Sequence, residues 1–332
     1  MLRVVLTATL MPAALAALLV LAGAGASGAA LAQAPYPSKQ IRLVIGFPPG
    51  GPTDIVSRVF AQKLTEQLGQ AVFVDNRPGA GGNIAAETVA RAAPDGYTLF
   101  YNTSAITIAP ALYGKVSYDT LKDFAPVSST AAVPMVLMVH PSLAVKSVGE
   151  LIAYARANPG KLNYGSSGTG TITHLATAAL ATHAGVTMQH IPYKGSAPAL
   201  TDLAGGTTQV MIDTINSALP YIKDGRVRAL AVTTTRRSAV LPDVPTLNET
   251  EMPGMEMSAW QGVMAPAGTP RAIVDQLNGE IGKALASAEV RAKLAAQGTD
   301  PLGSTPEAYA AYIRSELTRW SKIVKDTGAK AE

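Results

Sequence analysis

Short apolar runs alternate with stretches whose apolar residues recur at helical spacing. Ile41 to Phe47 is a largely apolar run that reads as a buried strand. From Ile55 the pattern becomes helical through Val56, Val59, Phe60 and Leu64. Further strand patterns fall at Ala71–Val74, Tyr97–Tyr101, Val133–Val139, Leu162–Tyr164, Gln189–Tyr193, Gln209–Ile212, Val227–Val232 and Ser258–Met264. Helical patterns fall at Ile84–Ala92, Ser147–Ala157, Ile172–His183, Ala197–Ala204 and Ser217–Lys223, and again at Pro270–Ala286, Ala288–Gln297 and Thr305–Lys325. Strands that alternate with helices predict an α/β fold with mostly parallel sheets. The length favours two such units. Two long strand-like passages, Phe124–Val139 and Met257–Ala265, are candidates for crossing between them. If both cross, the first unit is discontinuous and the cleft between units is the default ligand site.

The loops that follow the strands are polar and rich in glycine. After the first strand comes Pro48-Pro49-Gly50-Gly51-Pro52, then Thr53 and Asp54. A strand, a Gly-Gly turn and a helix start place unpaired backbone N–H groups at the positive end of a helix dipole, which attracts anions. No Lys or Arg lies between Phe47 and Ser57, so an anion here would be held by dipoles and hydroxyls. A tight βα connection without a ligand is the alternative, and this segment alone leaves both open. Similar loops occur at Pro78–Asn83, Asn102–Ala105, Ser166–Thr171, Tyr193–Ala197 and Asp213–Ser217. Their charges are few: Asp54, Lys194 and Asp213. That inventory suits reversible capture of a small polar anion better than acid–base catalysis. Asp54, in the first turn of a helix, suits a capping role more than ligand contact. Lys194 is either a ligand contact or a solvated loop charge. Asp213 ends an apolar strand, where a carboxylate is seldom idle.

The start of the chain is not fold material. Met1–Ala32 has one charge, Arg3, then a long apolar stretch and a small-residue tail ending Ala30-Leu31-Ala32. This is the pattern of a secretory signal peptide cleaved after Ala32. The mature protein is therefore expected to be exported and soluble. Without Arg3 the chain keeps 26 basic against 23 acidic residues, a spread surplus that implies no nucleic-acid partner. Cysteine is absent, which excludes disulfides and thiol catalysis.

Other chemistries are poorly supported. The four histidines, His140, His174, His183 and His190, show no metal-ligand spacing, so no metal is expected. Gly165-Ser166-Ser167-Gly168 lacks the spacing of a nucleophile elbow. No phosphate-binding GK[ST] loop is present, and Gly168-x-Gly170 lacks the third glycine of a dinucleotide site. No cofactor is expected. His174 is either a ligand donor or a support for the loop before it.

Taken together the segments resemble the periplasmic substrate-binding proteins of tripartite tricarboxylate transporters, the Bug receptors. The resemblance is carried by IRLVIGFPPGGPTD (Ile41–Asp54), VDNRPGAGGNIAAETVARAAPDGYT (Val74–Thr98), NYGSSGTGTITHLA (Asn163–Ala176), HIPYKGSAPALTDL (His190–Leu203), Leu241–Thr246 and APAGTP (Ala265–Pro270). It implies a two-lobed, Venus-flytrap binding protein without catalysis. The first lobe would be 33–130 with 257–332, and the second 131–256. It implies that Phe47, Pro48, Gly50, Gly51 and Thr53, with Asn102, Thr103 and Ser104, hold a ligand carboxylate from one side. Ser166, Ser167, Thr169, Thr171, Lys194 and Asp213 would face them. Asp54, Gly81, Gly82 and His174 would support the cleft. The implied partners are a small carboxylate (a dicarboxylate, tricarboxylate, amino acid or aromatic acid) and membrane permease subunits, with the receptor a monomer. A ligand-sensing partner of a sensor kinase is the alternative. A periplasmic hydrolase with His174 beside Ser166 or Ser167 is a more distant one.

Overall fold

The first strand, β1 (Ile41–Ile45), is short and almost wholly buried because it is the middle of three. It pairs in parallel with β2 (Val72–Asn76) and β3 (Thr98–Thr103), with Leu43 level with Val74 on one side and with Leu99 on the other. Helices α1 (Pro52–Leu68) and α2 (Asn83–Ala90) make the two crossovers. The structure, a computed structural model, describes residues 35–331, so the expected leader and its cleavage site lie outside the described residues. The helix expected from Ile55 begins three residues earlier, at Pro52. Proline suits the first helical position, where its missing N–H has no intrahelical acceptor to lose.

Helix α3 (Ala105–Leu112) follows β3 and was not expected from the sequence. Pro110 sits inside it and reads as a breaker. A proline there removes the N–H that would reach the carbonyl of Ile106, four residues back. The buried hydroxyl of Thr120 takes that place, donating to the Ile106 carbonyl at 2.9 Å.

Strand β4 (Phe124–Val139) then runs for 16 residues and serves two sheets. From Phe124 to Pro134 it lies antiparallel to β9 (Ser258–Pro266). From Met135 to Val139 it lies antiparallel to β7 (Val210–Thr214), and from Val136 to β8 (Arg228–Val232). The change of partner falls at Pro134, a residue with no N–H to give to a ladder. The second set of parallel strands, β5 (Asn163–Ser166), β6 (Gln189–Pro192) and β7, is linked by α5 (Ile172–Ala184) and α6 (Ser196–Ala204). Helix α4 (Val148–Ala157) precedes β5, and α7 (Ile215–Lys223) leads to β8. The order of the continuous sheet is β2-β1-β3-β9-β4-β7-β5-β6, with β8 on β4. Each half thus has a parallel set of three strands, and the antiparallel β9 and β4 join them.

The return crossing is at Met257, whose N–H donates to the Thr233 carbonyl at 2.9 Å, while the Thr233 N–H donates to the Met135 carbonyl at 2.9 Å. The chain closes with α8 (Arg271–Ala286), α9 (Ala288–Ala295), a two-residue strand β10 (Asp300–Pro301) on β4, and α10 (Pro306–Thr327). Helix α10 joins both cores. Its Tyr309 and Ile313 pack with Val44, Phe100 and Trp260, and its Trp320 and Val324 pack with Leu175 and Met257. Glu316 of α10 is buried and accepts the indole N–H of both Trp260 (2.8 Å) and Trp320 (2.9 Å).

Candidate functional site

The loop after β1 is folded by Asp54. Its carboxylate accepts the Gly50 N–H, the Arg58 Nε–H and the Asn76 side-chain amide, each at 2.9 Å. Burial pushes this carboxyl up, but the hydrogen bonds from Arg58, Gly50 and Asn76 outweigh it and hold it below the usual carboxylate range. Asn76 also donates to the Phe47 carbonyl at 2.9 Å. The loop rests on the turn at Gly81–Gly82. A Cβ on Gly46 would stand 2.6 Å from the Gly82 Cα, so backbone meets backbone there.

Across from this loop lies the segment between β5 and α5. The Ser167 N–H and hydroxyl both engage the Thr173 hydroxyl, at 2.8 and 2.9 Å. Thr171 Oγ1 donates to the Gly168 carbonyl at 2.7 Å. Beneath it His174 and His190 stack with ring centres 3.9 Å apart, and Tyr164 stacks on His190 at 4.9 Å. His174 Nδ1 accepts the Gly170 N–H at 3.3 Å, and His190 Nε2 meets the Ser166 hydroxyl at 2.7 Å. Burial pushes His174 down to about 4, and burial with the neighbouring ring pushes His190 down to about 3, so both rings are neutral near pH 7.

Between the two loops is a pocket with about 640 Å³ of empty space including its mouth. Five helices begin on it: Pro52 and Thr53 start α1, Ala105 starts α3, Ile172 and Thr173 start α5, Ser196 and Ala197 start α6, and Thr214 precedes α7. None of the residues at the helix boundary caps its helix through a side chain. Thr103 gives α3 one long bond, accepting the Ala105 N–H at 3.3 Å. Of the helices that start elsewhere, α4, α9 and α10 are capped by Ser147, Ser287 and Thr305, whereas α2 and α8 also lack a side-chain cap. The donors left uncapped at the pocket, aligned with five dipoles, make it a site for negative charge. Among the described residues, Lys194 is the one cationic side chain lining it, and Asp213 the one anionic.

The structure brings Phe47, Pro48, Gly51, Thr53, Thr103, Ser104, Ser167, Thr171, Lys194 and Asp213 to this pocket. Four other expected contacts stand elsewhere. The Gly50 N–H is taken by Asp54. Asn102 faces away and exchanges hydrogen bonds with the Tyr309 hydroxyl at 2.8 and 3.1 Å. Ser166 is fully buried, with its hydroxyl on His190. Thr169 lines an adjoining groove with Gly81 and Tyr113. Asp54, Gly82 and His174 sit behind the loops. Sequence reasoning missed Thr173, Ser196, Thr214, Ala259 and Gln261 as lining residues. A glutamine inside an otherwise apolar strand was the available signal for Gln261.

The two halves touch around the pocket. The Tyr113 hydroxyl donates to the Thr169 carbonyl at 3.0 Å, and the Asn216 amide reaches the Pro52 carbonyl at 3.5 Å. A Cβ on Gly195 would meet the Pro48 ring at 3.3 Å.

Residues 56–329 match the tripartite tricarboxylate transporter family receptor. The chain belongs to that family. It is 40% identical to protein BugT of Bordetella pertussis over 297 residues, which is 89% of this chain and 91% of BugT. Among solved structures, an R. palustris protein determined with adipate is 41% identical, with a TM-score of 0.86 over 89% of this receptor and 99% of that chain. MatC from Rhodopseudomonas palustris, determined with bound malate, is 34% identical, with a TM-score of 0.82 over 87% of this receptor and all of MatC. The periplasmic binding protein BugD is similar at 34% identity and a TM-score of 0.85. The receptor therefore has the two-lobed α/β fold of the periplasmic binding proteins, and its family is one of solute-binding receptors rather than enzymes.

Proposed function

We propose that this receptor captures a small carboxylate between its two halves and presents it to the permease subunits of a tripartite tricarboxylate-type transporter. The observation that carries this reading is the convergence of five helix starts on a pocket with, among the described residues, a single cationic side chain. Such a pocket holds a carboxylate by oriented dipoles and releases it without breaking a tight ion pair. The acids found with two relatives, adipate and malate, support the ligand class. The first lobe is broken by the second, which spans the middle of the chain from near residue 131 to 256, and the hinge lies where β4 changes partner at Pro134 and the chain returns at Met257. The carboxylate rests on Gly51, Thr53, Thr103 and Ser104, and closure adds Ser167, Thr171 and Lys194. The protein works as a monomer in the periplasm after removal of its leader behind Ala32. Hydrolysis is disfavoured: Ser166 is buried against His190, and Ser167 pairs with Thr173 rather than with His174.

The test is a thermal-shift screen of small carboxylates on the mature protein, followed by calorimetry on the hits. A true ligand at 100 times its dissociation constant stabilises by about 2.7 kcal/mol. Gly51→Val puts a branched side chain at the N-cap of α1 and should abolish binding while the fold survives. A carboxylate panel that leaves the melting temperature unchanged, or a valine variant that binds as tightly as the parent, overturns the reading.

A further inference from the structure

The pocket is not uniformly a donor site. Asp213, at the end of β7, has no exposed surface. Its Oδ1 accepts the Thr214 N–H at 2.7 Å and the Thr214 hydroxyl at 3.2 Å. Among the described residues its Oδ2 has no hydrogen-bond partner. The Ser196 and Ser217 hydroxyls stand close enough to favour the charged form, but neither meets Oδ2 in hydrogen-bond geometry. Burial nevertheless pushes the carboxyl up to about 6. Gln261, on β9, is 2% exposed, and its Oε1 is likewise unpartnered. Both residues line the pocket. One comes from each half of the sheet, and both sit on strands, so neither has a mobile loop to carry it away.

Buried polar atoms in folded proteins are almost always paired, and an orphan costs about 1–3 kcal/mol. While Asp213 is ionised these two orphans only accept: a carboxylate and an amide oxygen have no proton to give. With Asp213 ionised, a ligand carboxylate satisfies neither, because its oxygens also only accept, and against Asp213 it adds like charge in a place with little water. The uncapped helix starts and Lys194 supply donors for a carboxylate, whereas Asp213 and Gln261 ask for a donor in return.

We propose that Asp213 and Gln261 make this pocket select carboxylates that also carry a hydrogen-bond donor, a hydroxyl or an ammonium group. This rests on the carboxylate-receptor reading above and narrows it: a hydroxy or amino acid is bound in preference to its unsubstituted counterpart.

The test is calorimetry on the mature protein with matched acids from four to six carbons: the plain dicarboxylate, its 2-hydroxy form and its 2-amino form. At the length that binds best, a substituted acid should bind about tenfold tighter or more than the plain one. A 2-amino preference assigns the donor as an ammonium, and a 2-hydroxy preference assigns a neutral hydroxyl. Asp213→Asn replaces an acceptor by a donor and should reduce the preference, read as the ratio of the two affinities, below about threefold. Gln261→Met removes the second acceptor without adding charge and should reduce the preference in the same direction. If plain and substituted acids bind equally, or both variants keep the parental preference, the selection is refuted and the receptor reading stands. If no acid of any kind binds, the receptor reading falls and the selection falls with it.

Discussion

The Thr120 hydroxyl stands in for the N–H that Pro110 lacks, and this substitution of one donor for another has a measurable signature. Thr120 and Ile106 are both buried, at 5% and 3% exposure. Thr120→Val keeps the shape but leaves the Ile106 carbonyl without a donor, at a cost of about 1–3 kcal/mol. Pro110→Ala restores a backbone N–H four residues after Ile106. In that background the carbonyl is paired within the helix, and Thr120→Val should cost under about 0.5 kcal/mol. The coupling between the two positions is therefore about 1 kcal/mol or more, read from urea unfolding of the parent, both single variants and the double variant. A coupling near zero would refute the reasoning, because Thr120 would then be acting through packing alone. The outcome bears on the pocket, since Ser104 and Ala105 at the start of α3 line it.

Gly195 holds φ +116° against the Pro48 ring, so Gly195→Ala should weaken ligand affinity at least tenfold while leaving the melting temperature of the unliganded protein within a few degrees; calorimetry and a thermal melt check both halves of the statement. Tyr113→Phe removes one hydrogen bond between the two halves across the adjoining groove, worth about 1 kcal/mol, and should speed ligand release about fivefold in stopped-flow dissociation, with little change in capture. His174 and His190 are held neutral below their ordinary values, so the unfolded chain takes up their protons first. Their contribution to stability is full above about pH 6.5 and is lost as pH falls toward 4 and then 3. Asp213, raised to about 6, acts in the opposite direction but is one group against two. The urea midpoint should therefore be lower at pH 4.5 than at pH 7.5, and an equal or higher midpoint at pH 4.5 contradicts this account.

The alternation of strands and helices was legible because each βα unit carries its own apolar period. Helix α3 was not, because an interior proline is a breaker until a side chain 10 residues further on repairs it. The polar loops were legible as a set, and ten of their residues do meet at one pocket. Asn102 and Ser166 were grouped with their neighbours without regard to the pleat. Successive residues of a strand face opposite sides, so if Thr103 and Ser167 face the pocket, Asn102 and Ser166 face away. The same alternation turns Trp260 toward Glu316 and leaves Ala259 and Gln261 on the pocket side. The stacked histidines depend on contacts between α5 and β6, and no local pattern announces those.

The place of β9 has a consequence for how the molecule is made. The strand lies between β3 and β4, yet it is synthesised about 150 residues after β3. At ordinary rates of translation the open edge of β3 waits on the order of ten seconds for its neighbour. Asn102 waits longer still for Tyr309, 207 positions away. A nascent chain threaded in this way cannot finish its first sheet as it emerges, and non-local pairing of this kind is slow even afterwards. The same threading that builds the crossing strands thus leaves the pocket without Ala259 and Gln261 until the last third of the chain has been made.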